Sequence, residues 1–180
     1  MTVDRAALAG DLERARADFQ HLMRLVDEGE WEESTSGTRW TNEQLLFHMV
    51  FGYMVVQRLL ILVRLFGRLP DWVSGACARL LNAATTPFHA INYYGTCMAA
   101  SFYNRKRMGG KMDRTIAGLQ QSMALADDEA LQRGMYFPTR WDPYFNDFMT
   151  LAELYRYPGR HYDHHRQQLT LSRLARSDGE

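Results

Sequence analysis

The chain has 180 residues, 46% of them hydrophobic and 23% charged, a composition that excludes a disordered or low-complexity protein. Its 21 basic and 21 acidic residues cancel, so no global field draws it to nucleic acid or an acidic membrane. Two cysteines, Cys77 and Cys97, are too few for a disulfide scaffold, and only two lysines, Lys106 and Lys111, leave little room for Schiff-base chemistry.

The length fits one domain, residues 1–180, with a core that needs no staples. The N-terminus leads into a charged amphipathic run without the apolar region of a signal peptide, so the expected compartment is the cytoplasm. Helical periodicity begins at Asp4 and runs to Glu28, with Leu8, Leu12, Ala15, Phe19, Leu22 and Val26 on one face and Gly29 as the stop. A polar loop follows, flanked by Trp31 and Trp40. The second helix opens at Thr41, where Thr41-Asn42-Glu43-Gln44 forms a capping box, and runs to Phe66 before Gly67 and Pro70. Its apolar stretch from Leu45 to Phe66 is long enough to span a bilayer. His48, Gln57, Arg58 and Arg64 within it favour a buried bundle helix, and no transmembrane segment is expected.

Residues 69–107 form an apolar, aromatic insertion of shorter helices. Asp71 is expected to cap the first, Thr86-Pro87 to open the next, and Arg105-Lys106-Arg107 to close it. Three readings of the insertion stay open: a cover or homodimer contact, a roof over an apolar ligand cavity, or a membrane-surface patch. The third long helix starts after Gly109-Gly110 and carries Met112, Ile116, Leu119 and Met123. Residues 135–147 are irregular, and Trp141-Asp142-Pro143 reads as a helix cap and first turn. The fourth helix opens with a second capping box at Thr150 and continues to about Leu174, with a kink or a break at Pro158. No segment shows convincing strand alternation. Four such helices predict an all-α bundle.

The chemistry concentrates in His161-Tyr162-Asp163-His164-His165. At about 100° per residue, His165 lies at the centre of the apolar face, His161 beside it and His164 at its margin. The same arithmetic turns His48 of the second helix inward, with Gly52 one turn on leaving space beside it. Three imidazoles aimed into one apolar interior need partners, since a buried polar group left alone costs about 1–3 kcal/mol. Either each finds its own hydrogen-bond partner in the core, or a cation shared by His48, His161 and His165 satisfies them together; the helix frame leaves the height of His48 against the pair open. A zinc protease is excluded: its base should follow the first histidine, where this chain has Tyr162, and Asp163 points away. Without an evident carboxylate base, a metal that holds a thiol as thiolate is the more suitable chemistry.

Other side chains have smaller roles. Gln168 could orient a ligand imidazole or a substrate. Tyr162 and the insertion tyrosines could donate to an anionic substrate. Arg166 is expected in a salt bridge, His21 at the surface and His89 in a structural position. Cys77 and Cys97 read as small buried apolar groups. His164 becomes an alternative ligand if a kink rotates the helix.

Two blocks carry a resemblance. Trp40-Thr41-Asn42-Glu43-Gln44-Leu45-Leu46-Phe47-His48 is similar to the Trp-(Ser/Thr) helix opening of the DinB / YfiT-like superfamily, with its first ligand histidine. His161-Tyr162-Asp163-His164-His165-Arg166-Gln167-Gln168-Leu169 resembles that family's H-x-x-x-H-R-G-Q block, with Gln167 in place of the glycine on the outward face. The resemblance implies an up-down-down-up four-helix bundle binding a divalent metal, zinc or nickel, through His48, His161 and His165. Members include low-molecular-weight thiol S-transferases and mycothiol-dependent maleylpyruvate isomerases. The arginine-heavy composition suits an actinobacterium, where mycothiol is the expected thiol. The leading expectation is therefore a metal-dependent, mycothiol-type S-transferase acting on a small electrophile. The alternatives are a non-catalytic metal- or ligand-binding bundle and a thiol-dependent isomerase or cyclase of a small biosynthetic substrate.

Overall fold

The computed structural model describes residues 3–177. The outermost ends of the expected 1–180 domain lie outside the described residues. Helix α1 (Arg5–Leu25) starts where the Asp4 carboxylate accepts from the Ala7 amide at 2.9 Å. It buries Leu8, Leu12, Ala15, Phe19 and Leu22, the stripe its periodicity specifies. The helix stops three residues short of Glu28, because Val26 turns extended and a 3₁₀ turn at Glu30–Glu32 follows.

Helix α2 (Asn42–Phe66) opens with both halves of the Thr41–Gln44 capping box and closes at Gly67, whose amide donates to the Val63 carbonyl at 2.8 Å. By length and composition α2 could cross a membrane, but 56% of its most apolar window is buried inside the protein. The insertion forms two helices, α3 (Asp71–Ala83) and α4 (Thr85–Phe102). Asp71 is the first helical residue and makes no capping bond, so the expected cap is corrected; Pro70 occupies that position. Pro87 falls in the first turn of α4, where its missing donor is harmless.

Helix α5 (Met108–Ala124) begins one residue before the glycine pair expected to precede it, and it buries Met112, Ile116, Leu119 and Met123. Short α6 (Asp128–Gln132) leads to a feature the sequence reading missed, an antiparallel pair of β1 (Gly134–Tyr136) and β2 (Phe148–Thr150). Three-residue strands are too short to show alternation. At Gly134 a Cβ would fall 2.6 Å from the Met149 carbonyl, so the strand approach itself requires glycine. The pair carries residues 137–147 as a loop over one end of the bundle, closed by the Phe137 amide on the Asp147 carbonyl at 2.8 Å.

The last long helix, α7 (Leu151–Arg166), opens with the Thr150–Glu153 capping box and runs unbroken through Pro158. It ends eight residues before Leu174, because side-chain bonds take over the chain beyond it. Asn42 Oδ1 accepts from the Thr170 amide at 3.1 Å, and Glu30 Oε1 accepts from the Ser172 amide at 2.8 Å. A short α8 (Ser172–Ser177) follows. In the helical bundle α2 packs against α7, α5 and α4, while α1 packs against α5 and α7. The core lies between them, around Phe19, Leu46, Val50, Ile116 and Leu154.

Candidate metal centre

His48 sits in the second turn of α2, and His161 and His165 lie one turn apart on α7, the helix that α2 packs against most extensively. The ring centroids are 5.1 Å (His48–His161), 4.8 Å (His48–His165) and 4.5 Å (His161–His165) apart. One ligand nitrogen from each ring lies within 4.8 Å of the other two. His48 and His161 are buried and His165 is half-buried. Gly52 makes this approach feasible: a Cβ there would stand 2.9 Å from His161 Nδ1.

Two rings have their orientation fixed from behind. His165 Nδ1 lies 2.7 Å from Gln168 Oε1, an acceptor, so Nδ1 carries the proton and Nε2 the lone pair. His48 Nδ1 lies 3.1 Å from Thr96 Oγ1 on α4, which brings the insertion into the site. Trp40 stacks on His48 with centroids 4.3 Å apart and presents an edge to His165 at 6.2 Å. Its position just ahead of the α2 capping box makes it a wall of the site.

Electrostatics keep the three rings neutral at ordinary pH. Burial, then the neighbouring His165, pushes His48 down to about 3. Burial, then His48, His165 and His164, holds His161 well below the usual imidazole range. His165 is also lowered by burial, partly offset by its bond to Gln168. Neutral imidazole is the form that ligates a metal. His161 Nδ1 is buried without a hydrogen-bond partner. Three neutral rings whose ligand nitrogens cluster within 4.8 Å, one with an orphaned buried nitrogen, fit a shared cation, so the donor set can hold one metal ion.

The expectation that no carboxylate attends the histidines is corrected. Asp142 Oδ2 lies 3.6 Å from His161 Nε2 and accepts from the Tyr157 hydroxyl at 2.8 Å. That distance is too long for a hydrogen bond, and a neutral His161 makes no ion pair. Asp142 was read as a helix cap, but no helix follows it; Oδ1 instead accepts from the Tyr144 amide at 2.8 Å, closing a turn. The Trp-Asp-Pro tripeptide was the one signal, and nothing local tied it to α7.

Other expected site residues go elsewhere. Tyr162 donates to Asp18 Oδ2 at 2.7 Å, and Arg166 pairs with the same carboxylate at 3.0 Å, so both serve the α1–α7 contact. His164 is exposed and meets His165 and Tyr144 only by ring edges. His21 and His89 are exposed. Cys77 and Cys97 are half-buried free thiols, a correction to their fully buried reading. Tyr93 stacks against Trp40 beneath the Arg39 guanidinium, and Tyr94 is exposed; neither lines the cavity beside the histidines.

That cavity has a volume of about 490 Å³ and is walled by α2, α3, α4, β1, the 137–147 loop and α7. His48, His161, Thr96 and Asp142 line it. Phe88 stacks flat on Trp141 at 3.9 Å, and Trp141 Nε1 donates to the Leu81 carbonyl at 2.8 Å, which fastens the insertion to the loop. The insertion roofs this cavity on one side, and it also carries exposed apolar side chains, Trp72, Leu80, Tyr94, Met98 and Phe102.

No curated protein and no solved structure matches the chain. The family model of the DinB superfamily matches residues 11–169, from the body of α1 to just past the α7 histidines, and the chain belongs to that superfamily.

Proposed function

We propose that the chain is a metal-dependent thiol S-transferase, with His48, His161 and His165 as the ligands of a zinc or nickel ion. The observation that carries the reading is the convergence of three neutral imidazoles within 4.8 Å, two of which, His48 and His161, line an apolar cavity. A divalent metal there supplies a Lewis acid that lowers the pKa of a thiol and favours thiolate at neutral pH. Gln168 holds His165 in the tautomer that presents Nε2, and Thr96 fixes the orientation of the His48 ring. Asp142 adds negative charge beside the rings, and Tyr157 fixes that carboxylate. The apolar walls exclude water that would compete as nucleophile. In the transfer the thiol gives up its proton to solvent and a sulfur–carbon bond forms. The leaving group departs with the electrons of the bond it breaks. The thiol is mycothiol-type and the second substrate a small electrophile, and the reading treats the chain as one cytoplasmic domain.

The test is incubation of the full chain with mycothiol and a reporter electrophile, with zinc, with nickel and with chelator. The expected result is a metal-dependent adduct that His48→Ala, His161→Ala and His165→Ala each abolish together with metal content. A wild-type adduct rate in any of the three variants, or a rate unchanged by chelator, overturns the reading. A non-catalytic ligand-binding bundle is the second reading, favoured by the largely apolar lining of the cavity. It predicts metal uptake by the same histidines without turnover of any electrophile.

A further inference from the structure

We propose that the cavity beside the histidines takes a single-chain alkyl amphiphile, its polar end at the histidines and its hydrocarbon tail along α2. This deepens the transferase reading by naming the substrate class, and it rests on that reading only for the chemistry of the polar end.

Shape is the first argument. His48, Gly52, Val55, Leu59, Leu62 and Phe66 all line the cavity. Their spacing of four, three, four, three and four residues keeps them on one face of α2. At a rise of 1.5 Å per residue this stripe is about 27 Å long. The cavity, about 490 Å³ in volume, runs beside this stripe, so an elongated occupant follows it from His48 to Phe66.

Polarity is the second argument. Hydrogen-bonding groups mark one end, where Thr96 bonds His48 and Asp142 lies beside His161; Asn92, one turn before Thr96 on α4, adds a further polar side chain to the lining. Further along α2 the wall is Val55, Leu59, Leu62 and Phe66, facing Leu81 and Phe88 of the insertion. A sugar or nucleotide would leave several polar groups unpaired there, at about 1–3 kcal/mol each. An alkyl tail leaves none. The volume lies within the range of about 300–1,000 Å³ of small-molecule sites. The entrance is apolar as well: Leu62 and Ile91 line the cavity yet are 40% and 70% exposed.

Gly95 is the third argument. It lines the cavity from α4, and a Cβ built on it would meet nothing within 4 Å. Within a helix glycine is unfavourable by about 1 kcal/mol relative to alanine. No close packing neighbour calls for it here; what its missing side chain leaves is free width along the path of the tail.

The experiment is isothermal titration of n-alkanols, butanol to decanol, into the full chain, metal-free and zinc-loaded. About 0.8 kcal/mol per buried methylene corresponds to a dissociation constant that falls about fourfold per added carbon. Gly95→Phe fills the cavity, and it is expected to weaken decanol binding by about tenfold or more while melting temperature and zinc content hold. A dissociation constant that does not change with chain length overturns the proposal, as does wild-type decanol affinity in folded Gly95→Phe. Should that variant not fold, the wild-type chain-length series decides. Alkanols carry no electrophile, so the series reports on the tail site alone. Zinc-dependent transfer to a short electrophile without alkanol binding sinks this proposal and leaves the transferase reading standing. The reverse result does the opposite.

Discussion

Gly52→Ala should weaken metal binding without unfolding the protein. A Cβ at position 52 would stand 2.9 Å from His161 Nδ1 and 3.2 Å from its Cε1, whereas an ordinary contact needs at least 3.4 Å. The imidazole must therefore retreat by about 0.5 Å. It has little room, being packed against His165 at 4.5 Å and Tyr157 at 6.0 Å between ring centres. Metal–ligand distances tolerate about 0.2 Å, so the displaced ring holds a cation poorly. A loss of about 10- to 100-fold in zinc affinity is expected, the scale seen when the support of a ligand histidine is disturbed. The helix itself gains up to about 1 kcal/mol from alanine, which offsets strain in the metal-free state. Zinc competition against a chelator of known affinity measures the loss, and thermal unfolding of the metal-free forms checks the fold. The exposed Gly10 of α1, where a Cβ meets nothing, is the control: Gly10→Ala should leave zinc affinity alone. Wild-type zinc affinity in Gly52→Ala would refute the reasoning.

Gln168→Ala and Thr96→Val remove the groups behind His165 and His48, and each should lower zinc affinity by about 10- to 100-fold in the same competition assay. Tyr162→Phe should cost about 1 kcal/mol in urea unfolding, through the lost bond to Asp18, and leave zinc content and turnover unchanged. Acid should destabilise the metal-free protein. In the unfolded chain His48 takes up a proton near 6.5, while burial holds it neutral down to about 3, so the unfolded state binds more protons between those values. Stability is therefore complete above about pH 6.5 and falls below it, by about 2 kcal/mol at pH 5 for His48 alone. Urea midpoints at pH 7.5 and 5 test this, and His48→Gln should flatten the difference; equal slopes in the two proteins would contradict it.

The sequence by itself determined the helices and the way their faces point. Both capping boxes, at Thr41 and Thr150, are local hydrogen-bond patterns that need no tertiary partner. The stripe of α1 and the inward faces of His48, His161 and His165 follow from a fixed rotation per residue. Tertiary structure decided whatever depends on contact between distant segments. A helical wheel cannot set the height of His48 against the α7 pair; the packing of α2 on α7 does. The wheel turned Tyr162 inward, but α7 buries a face wide enough to meet both α1 and α2, and Tyr162 went to Asp18 on α1. Gln168 lies just beyond the end of α7 and reaches His165 from a turn rather than along a helix face. The end of α7 itself was set by Asn42 and Glu30, more than 120 residues earlier in the chain. Asp142 reached the histidines only because two three-residue strands, too short to leave a periodic signal, carried its loop over the bundle. Local periodicity specifies directions; only the closed fold turns directions into distances.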